Sequence, residues 1–209
     1  MSTDTSMCRS FAQLFLIPVL IIVAGTAMVA DKTPLDYGSV TKLDEVKMRT
    51  PALSDKGDLY VFMYNVASRE SNNNDTVVNR YGYMGKYQFG QRTLWSLGKS
   101  FQVSRKEFLG NVALQDSAMV AYLRENRTTI QDVIVQFDGR WYNGVYITES
   151  GLLAGAHLVG PHGVRAFFYP DYVISRNGKL VRPRTRDGNG TSVAEYISKF
   201  SGYGLDNLN

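Results

Sequence analysis

Cysteine is almost missing from this sequence: Cys8 is the only one in 209 residues. It precedes an apolar run instead of following it, which argues against lipid attachment at that thiol. Downstream of Cys8 no disulfide can form within the chain, so stability has to come from a packed core. Only two histidines occur, His157 and His162, and no His/Cys cluster has zinc-ligand spacing. There is no run of five like charges. The basic residues of VRPRTRDG (181–188) are interrupted by Pro183 and Asp187. A net charge of +4 spread this thinly speaks against nucleic acid as a partner, although it suits an anionic polymer. Internal repeats, a Gly-rich nucleotide loop and a Ser-His-Asp set are all lacking, and no cofactor is implied. DGNGTS (187–192) places oxygen ligands at 187, 189 and 191, but Ser198 stands where a calcium loop needs its glutamate. A turn leading into the last helix is the better reading.

What is present divides the chain in three. Phe11 to Ala30 is free of charge and follows Arg9. It reads as a signal peptide or an uncleaved signal anchor, with Gly25-Thr26-Ala27 offering a small-x-small cleavage site. Either reading exports the rest to the periplasm or cell envelope, the second with membrane anchoring through residues 11–30. Residues 31–57, punctuated by Pro34 and Pro51, read as a linker. A single domain is expected over 58–209.

That domain reads as mainly α, with a small β-hairpin or loop. Leu59, Phe62, Met63 and Val66 carry the offsets of an amphipathic helix, with Ser54 or Asp55 as its cap and NNND as its stop. Short helices are expected over 91–98 and 104–110. A longer one is expected over 111–126, holding Leu114, Ala118, Ala121, Tyr122 and Glu125. Thr129 should cap the next, carrying Ile130, Val133, Ile134 and Phe137. Thr148 should cap ESGLLAGAHLV, which Gly160-Pro161 ends, and 163–168 resumes briefly. Ser192 and Glu195 form a capping box before the last helix. Short strands are expected near 81–89 and 172–182.

Glu70 follows Leu59 by eleven residues and Val66 by four, so it projects from the same stripe. A carboxylate ending a buried stripe is costly unless paired or protonated. It either turns to solvent, pairing with Arg69 or Arg80, or serves as an acid in a cleft. Eleven residues on, YGYMGKYQFG (81–90) holds three glycines and three tyrosines. Glycine costs roughly 0.5–1 kcal/mol relative to alanine within regular structure, so this is a shaped loop.

Glu70-Ser71, then Gln88 within Gly85-Lys86-Tyr87-Gln88, then Thr93, resemble the signature of the lysozyme-like soluble lytic transglycosylases. LLAGAHLVGPHGVRAF (152–167) resembles that family's third motif at Ala156, Gly160, Pro161 and Val164. It departs from it at His157 and Leu158, where the family has Tyr and Asn. The resemblance spans about residues 58–170. It implies an α+β lysozyme-like fold whose loop lines a glycan cleft, with peptidoglycan strands as substrate. By the same resemblance Glu70 is the general acid/base, cleaving MurNAc–GlcNAc bonds. Ser71, Gln88 and His157 lie near it, while Tyr83, Met84 and Tyr87 flank sugar rings, although core packing claims at least one of these three. Phe89 is assigned a structural role. One acid suffices where the substrate's N-acetyl group assists. Of the second acids considered, Asp75 reads better as a turn former and Glu149 as a helix-dipole partner. A hydrolytic lysozyme, or a non-catalytic peptidoglycan-binding or envelope-assembly protein, are the alternatives.

Overall fold

The computed structural model describes residues 58–208. The apolar run, the linker and the caps at Ser54 and Asp55 lie outside them. Among the described residues the fold is mainly helical, with seven α-helices and two small antiparallel hairpins, and no helix is long and apolar enough to cross a membrane.

Helix α1, Asp58–Ser71, buries Phe62, Met63, Val66 and Ala67. Left-handed Asn72 (φ 56°) and Asn73 (φ 60°) stop it, and their N–H groups return to the Ser68 and Ala67 carbonyls. After the loop come α2 (Gln91–Ser96) and α3 (Arg105–Phe108). Helix α4, Val112–Thr129, is capped by the Asn111 side chain, which accepts from the Leu114 N–H at 3.0 Å. Its buried face carries Gln115, Ala118, Met119, Leu123 and Asn126. Of the residues read along this helix, Ala118 is buried, Leu114, Ala121 and Tyr122 are partly buried, and Glu125 is exposed.

Helix α5, Gln131–Phe137, begins at Ile130 without a side-chain cap. Thr129 belongs to the last turn of α4, where its hydroxyl donates to the Glu125 carbonyl at 2.8 Å. Strands β1 (Trp141–Tyr142) and β2 (Val145–Tyr146) form a hairpin that sequence reading had missed. Its turn residues, Asn143 (φ 47°) and Gly144 (φ 76°), are the pair that a type I′ turn requires. The expected hairpin near 172–182 is β3 (Ile174–Arg176) and β4 (Lys179–Val181), turned by Asn177-Gly178.

Between the hairpins runs the central helix α6, Glu149–Phe168. Thr148 caps it by accepting from the Gly151 N–H, and Gly160 (φ 77°) breaks it just before Pro161. His162 lies on its second half and bonds the Tyr172 hydroxyl at 2.7 Å. Helix α7, Val193–Lys199, starts with the expected capping box of Ser192 and Glu195. It crosses α6 closely because α6 presents Gly151 and Gly155 there. A Cβ at Gly151 would stand 2.6 Å from the Ile197 carbonyl oxygen. That crossing sets the C-terminal segment beside the end of α1.

Candidate functional site

A groove of about 820 Å³ runs across the domain, and Glu70, Gln88, Phe89, Tyr122 and His157 lie along it. Glu70 is half-buried at the last turn of α1. It makes no ion pair with Arg69 or Arg80 among the described residues. Its partner is Tyr196 on α7, whose hydroxyl donates to Glu70 Oε1. Tyr196 is 3% exposed, and burial together with the adjacent Glu70 charge pushes its phenol well above the ordinary tyrosine range. It is therefore a fixed donor that pins one carboxylate oxygen and leaves Oε2 without a partner among the described residues.

The glycine-tyrosine loop is held from below. Val78 bridges Met84, and Met84 bridges Phe89, which folds the loop on two antiparallel rungs. Gln115, wholly buried on α4, accepts from the Lys86 N–H at 2.8 Å. It also donates to the Asp75 and Phe108 carbonyls at 2.8 and 2.9 Å. Gly85 (φ 70°) sits so close that a Cβ would stand 2.4 Å from Gln115 Oε1. Only glycine fits both the space and the dihedral. Gln88, itself left-handed at φ 54°, donates from Nε2 to the Gly85 carbonyl at 2.9 Å. Its Oε1 takes no bond from the described residues.

The loop sorts its aromatic side chains. Tyr83 is 45% exposed and lines the groove beside Tyr81. Asn79 shapes this edge by accepting from the Tyr81 and Tyr83 N–H groups at 2.8 and 3.1 Å. Met84 and Tyr87, expected beside sugar rings, do not line the groove: they are 0% and 2% exposed. In a run of paired rungs alternate side chains face opposite ways, so Met84 enters the core. Tyr87 points at α4, where its hydroxyl donates to Asp116 Oδ1 at 2.5 Å. Burial and that carboxylate push its phenol up. Ser71 also turns away from the groove. Its Oγ donates to the Lys86 carbonyl at 2.9 Å and accepts from the Asn74 N–H at 3.0 Å, fastening the loop to the end of α1.

Phe89, 2% exposed, forms the groove floor, with edge contacts to Tyr122 and His157. His157 meets both of these rings edge-on, and its Nδ1 is buried without a hydrogen-bond partner among the described residues. Burial holds the imidazole below its ordinary pKa, against the opposing pull of the Glu70 charge and of a bond to the Tyr87 backbone.

Neither second acid weighed from sequence lies in the groove. Asp75 lends its carbonyl to Gln115 and to the Gly110 N–H. Glu149 pairs with Arg127 at 2.5 Å. The groove's other carboxylate is Asp187. Its Oδ1 accepts from the Asn189 and Thr191 N–H groups at 2.9 and 2.7 Å, which makes DGNGTS a tight turn.

Sequence reading missed three contributions. Tyr196 is separated from Glu70 by 126 positions. Gln115 is a buried polar residue on a mostly apolar helix face. Arg176, Arg184 and Arg186 line the groove. Only Arg184 and Arg186 left a signal, the interrupted basic stretch before α7. Neither family models, nor curated proteins, nor solved structures yield any match to this chain.

Proposed function

We propose that the chain is a peptidoglycan-cleaving muramidase, a lytic transglycosylase of lysozyme-like fold that breaks MurNAc–GlcNAc β-1,4 bonds. The observation that carries this reading is Glu70. A half-buried carboxylate has one oxygen held by Tyr196 and the other open to a groove of sugar-chain dimensions. Tyr81 and Tyr83 supply flat faces on which pyranose rings can stack. Gln88 supplies an acceptor for a hydroxyl or an acetamido N–H.

Protonated at Oε2, Glu70 donates to the bridging glycosidic oxygen as the C1–O bond breaks. The neighbouring N-acetyl oxygen stabilises the oxocarbenium charge at C1. Glu70, now a base, removes the C6 hydroxyl proton while that oxygen closes on C1 as a 1,6-anhydro ring. The proton given up in the first half is recovered in the second, and no water enters. This route needs one carboxylate, in keeping with an Asp187 already committed to its turn. Export through residues 11–30 would deliver the enzyme to the periplasm or envelope, where its substrate lies.

Glu70→Gln tests the reading. The amide keeps the shape and cannot give a proton, so release of soluble muropeptides should fall at least about a hundredfold, with general acid catalysis worth 10²–10⁴. Full activity in this variant would remove the proposal. Mass spectrometry of the products separates ring closure from hydrolysis: a reducing-end MurNAc would assign a lysozyme. One feature favours a non-catalytic glycan-binding protein instead. His157 stands where the resembled family has Tyr, and its Nδ1 bonds to nothing among the described residues. Protein that binds sacculi and never clears them would establish that second reading.

A further inference from the structure

The groove has two chemically different walls. Tyr81 and Tyr83 form one, and Arg176, Arg184 and Arg186 stand along the same groove. Stacking and neutral hydrogen bonds suffice for an uncharged amino-sugar chain. Three guanidinium groups are more than such a chain needs.

The basic wall is built into the fold. Arg176 ends β3 at the Asn177-Gly178 turn. Arg184 and Arg186 flank Thr185 in the segment that leads to α7, and both line the groove. The backbone of that segment is seated twice. The Val193 N–H donates to the Thr185 carbonyl at 2.9 Å. On α6, Gly163 lets the Arg184 carbonyl approach to within 2.6 Å of where a Cβ would be. Arg186 donates to the Gly190 carbonyl at 2.7 Å. The side chains of Arg176 and Arg184 bond to nothing among the described residues and are exposed. Against these three cations the groove sets two carboxylates, Glu70, whose Oε1 is taken by Tyr196, and Asp187, whose Oδ1 is taken by the turn.

Resting on the muramidase reading, we propose that this wall is a carboxylate subsite, which selects glycan strands bearing acidic stem peptides over bare strands. The planar fork of arginine matches a carboxylate in a bidentate fashion that lysine cannot reproduce. The sugars lie toward the tyrosines and the peptide carboxylates toward the arginines.

The test uses the full chain carrying Glu70→Gln, so that strands are bound without being cut. Binding is measured for soluble peptidoglycan strands with their stem peptides and for the same strands stripped by an amidase. Intact strands should bind roughly five- to tenfold more tightly, the scale of one or two exposed ion pairs, and the difference should shrink in high salt. Adding Arg176→Gln and Arg184→Gln should bring intact strands to the affinity of stripped ones and leave stripped strands unaffected. Neither arginine holds another residue, so the thermal melt should not move. Equal binding of intact and stripped strands before the arginines are changed would overturn the subsite and leave the glycan reading standing. So would intact-strand binding that the arginine changes do not weaken. Binding of neither strand would overturn both.

Discussion

The buried amide of Gln115 gives a quantitative test of how the groove loop is held. Replacing it by leucine, one carbon shorter and forked at Cγ instead of Cδ, puts an apolar side chain in its place and removes three hydrogen bonds. The three losses are unequal. The Asp75 carbonyl still accepts from the Gly110 N–H, and the Phe108 carbonyl from the Asn111 N–H. Each therefore forfeits one bond, about 0.5–1.5 kcal/mol. The Lys86 N–H is left with no partner, at about 1–3 kcal/mol. Apolar burial by the leucine returns roughly 1 kcal/mol. The net loss should be about 1–5 kcal/mol, or a fall in Tm of roughly 2–20 °C for a domain of this size. Urea unfolding followed by far-ultraviolet circular dichroism measures it, with an unchanged m-value as the check that the two end states are the same. Cleavage should weaken as well, because Gly85, whose carbonyl fixes Gln88, rides on the same clamp. A stability change within 0.5 kcal/mol would refute the clamp and leave the loop held by its own rungs.

Two further outcomes follow from the site. Tyr196→Phe keeps the buried ring and removes the hydroxyl that holds Glu70. A bond to a charged group is worth about 1.5–3 kcal/mol, so kcat should drop roughly ten- to a hundredfold with KM little changed; an unaffected kcat would deny Tyr196 a positioning role. His157 is held below its ordinary pKa by burial, so near pH 6 the unfolded chain binds more protons there than the folded one. Stability should therefore be complete above about pH 6.5 and decline as the pH falls toward the depressed value, by at most about 1.4 kcal/mol per unit from this group. His157→Phe should flatten that part of the curve in urea titrations at pH 7.5 and 5.5, and an identical slope in both proteins would count against it.

How much of this was legible beforehand depended on the range of the interactions. Ser192 and Glu195 cap α7 as read, because both partners of the box lie within one turn. Thr148 and the Gly160-Pro161 break were equally local. The Asn143-Gly144 hairpin was legible by the same logic and was overlooked. Thr129 was assigned to the wrong helix because a threonine that can cap can also bond back to its own preceding turn.

The amino-acid order alone determined a mainly helical chain and a carboxylate ending the buried face of α1. It also determined a glycine-tyrosine loop that could not be regular structure. Tertiary packing decided which loop side chains face the groove, sending Met84 and Tyr87 inward and Tyr83 outward. It brought Tyr196 to Glu70 across 126 positions, placed Gln115 beneath the loop, and set three arginines along one groove. Periodicity and capping report contacts within a few residues, whereas a site is made where distant segments meet, and only the packed core selects which segments those are.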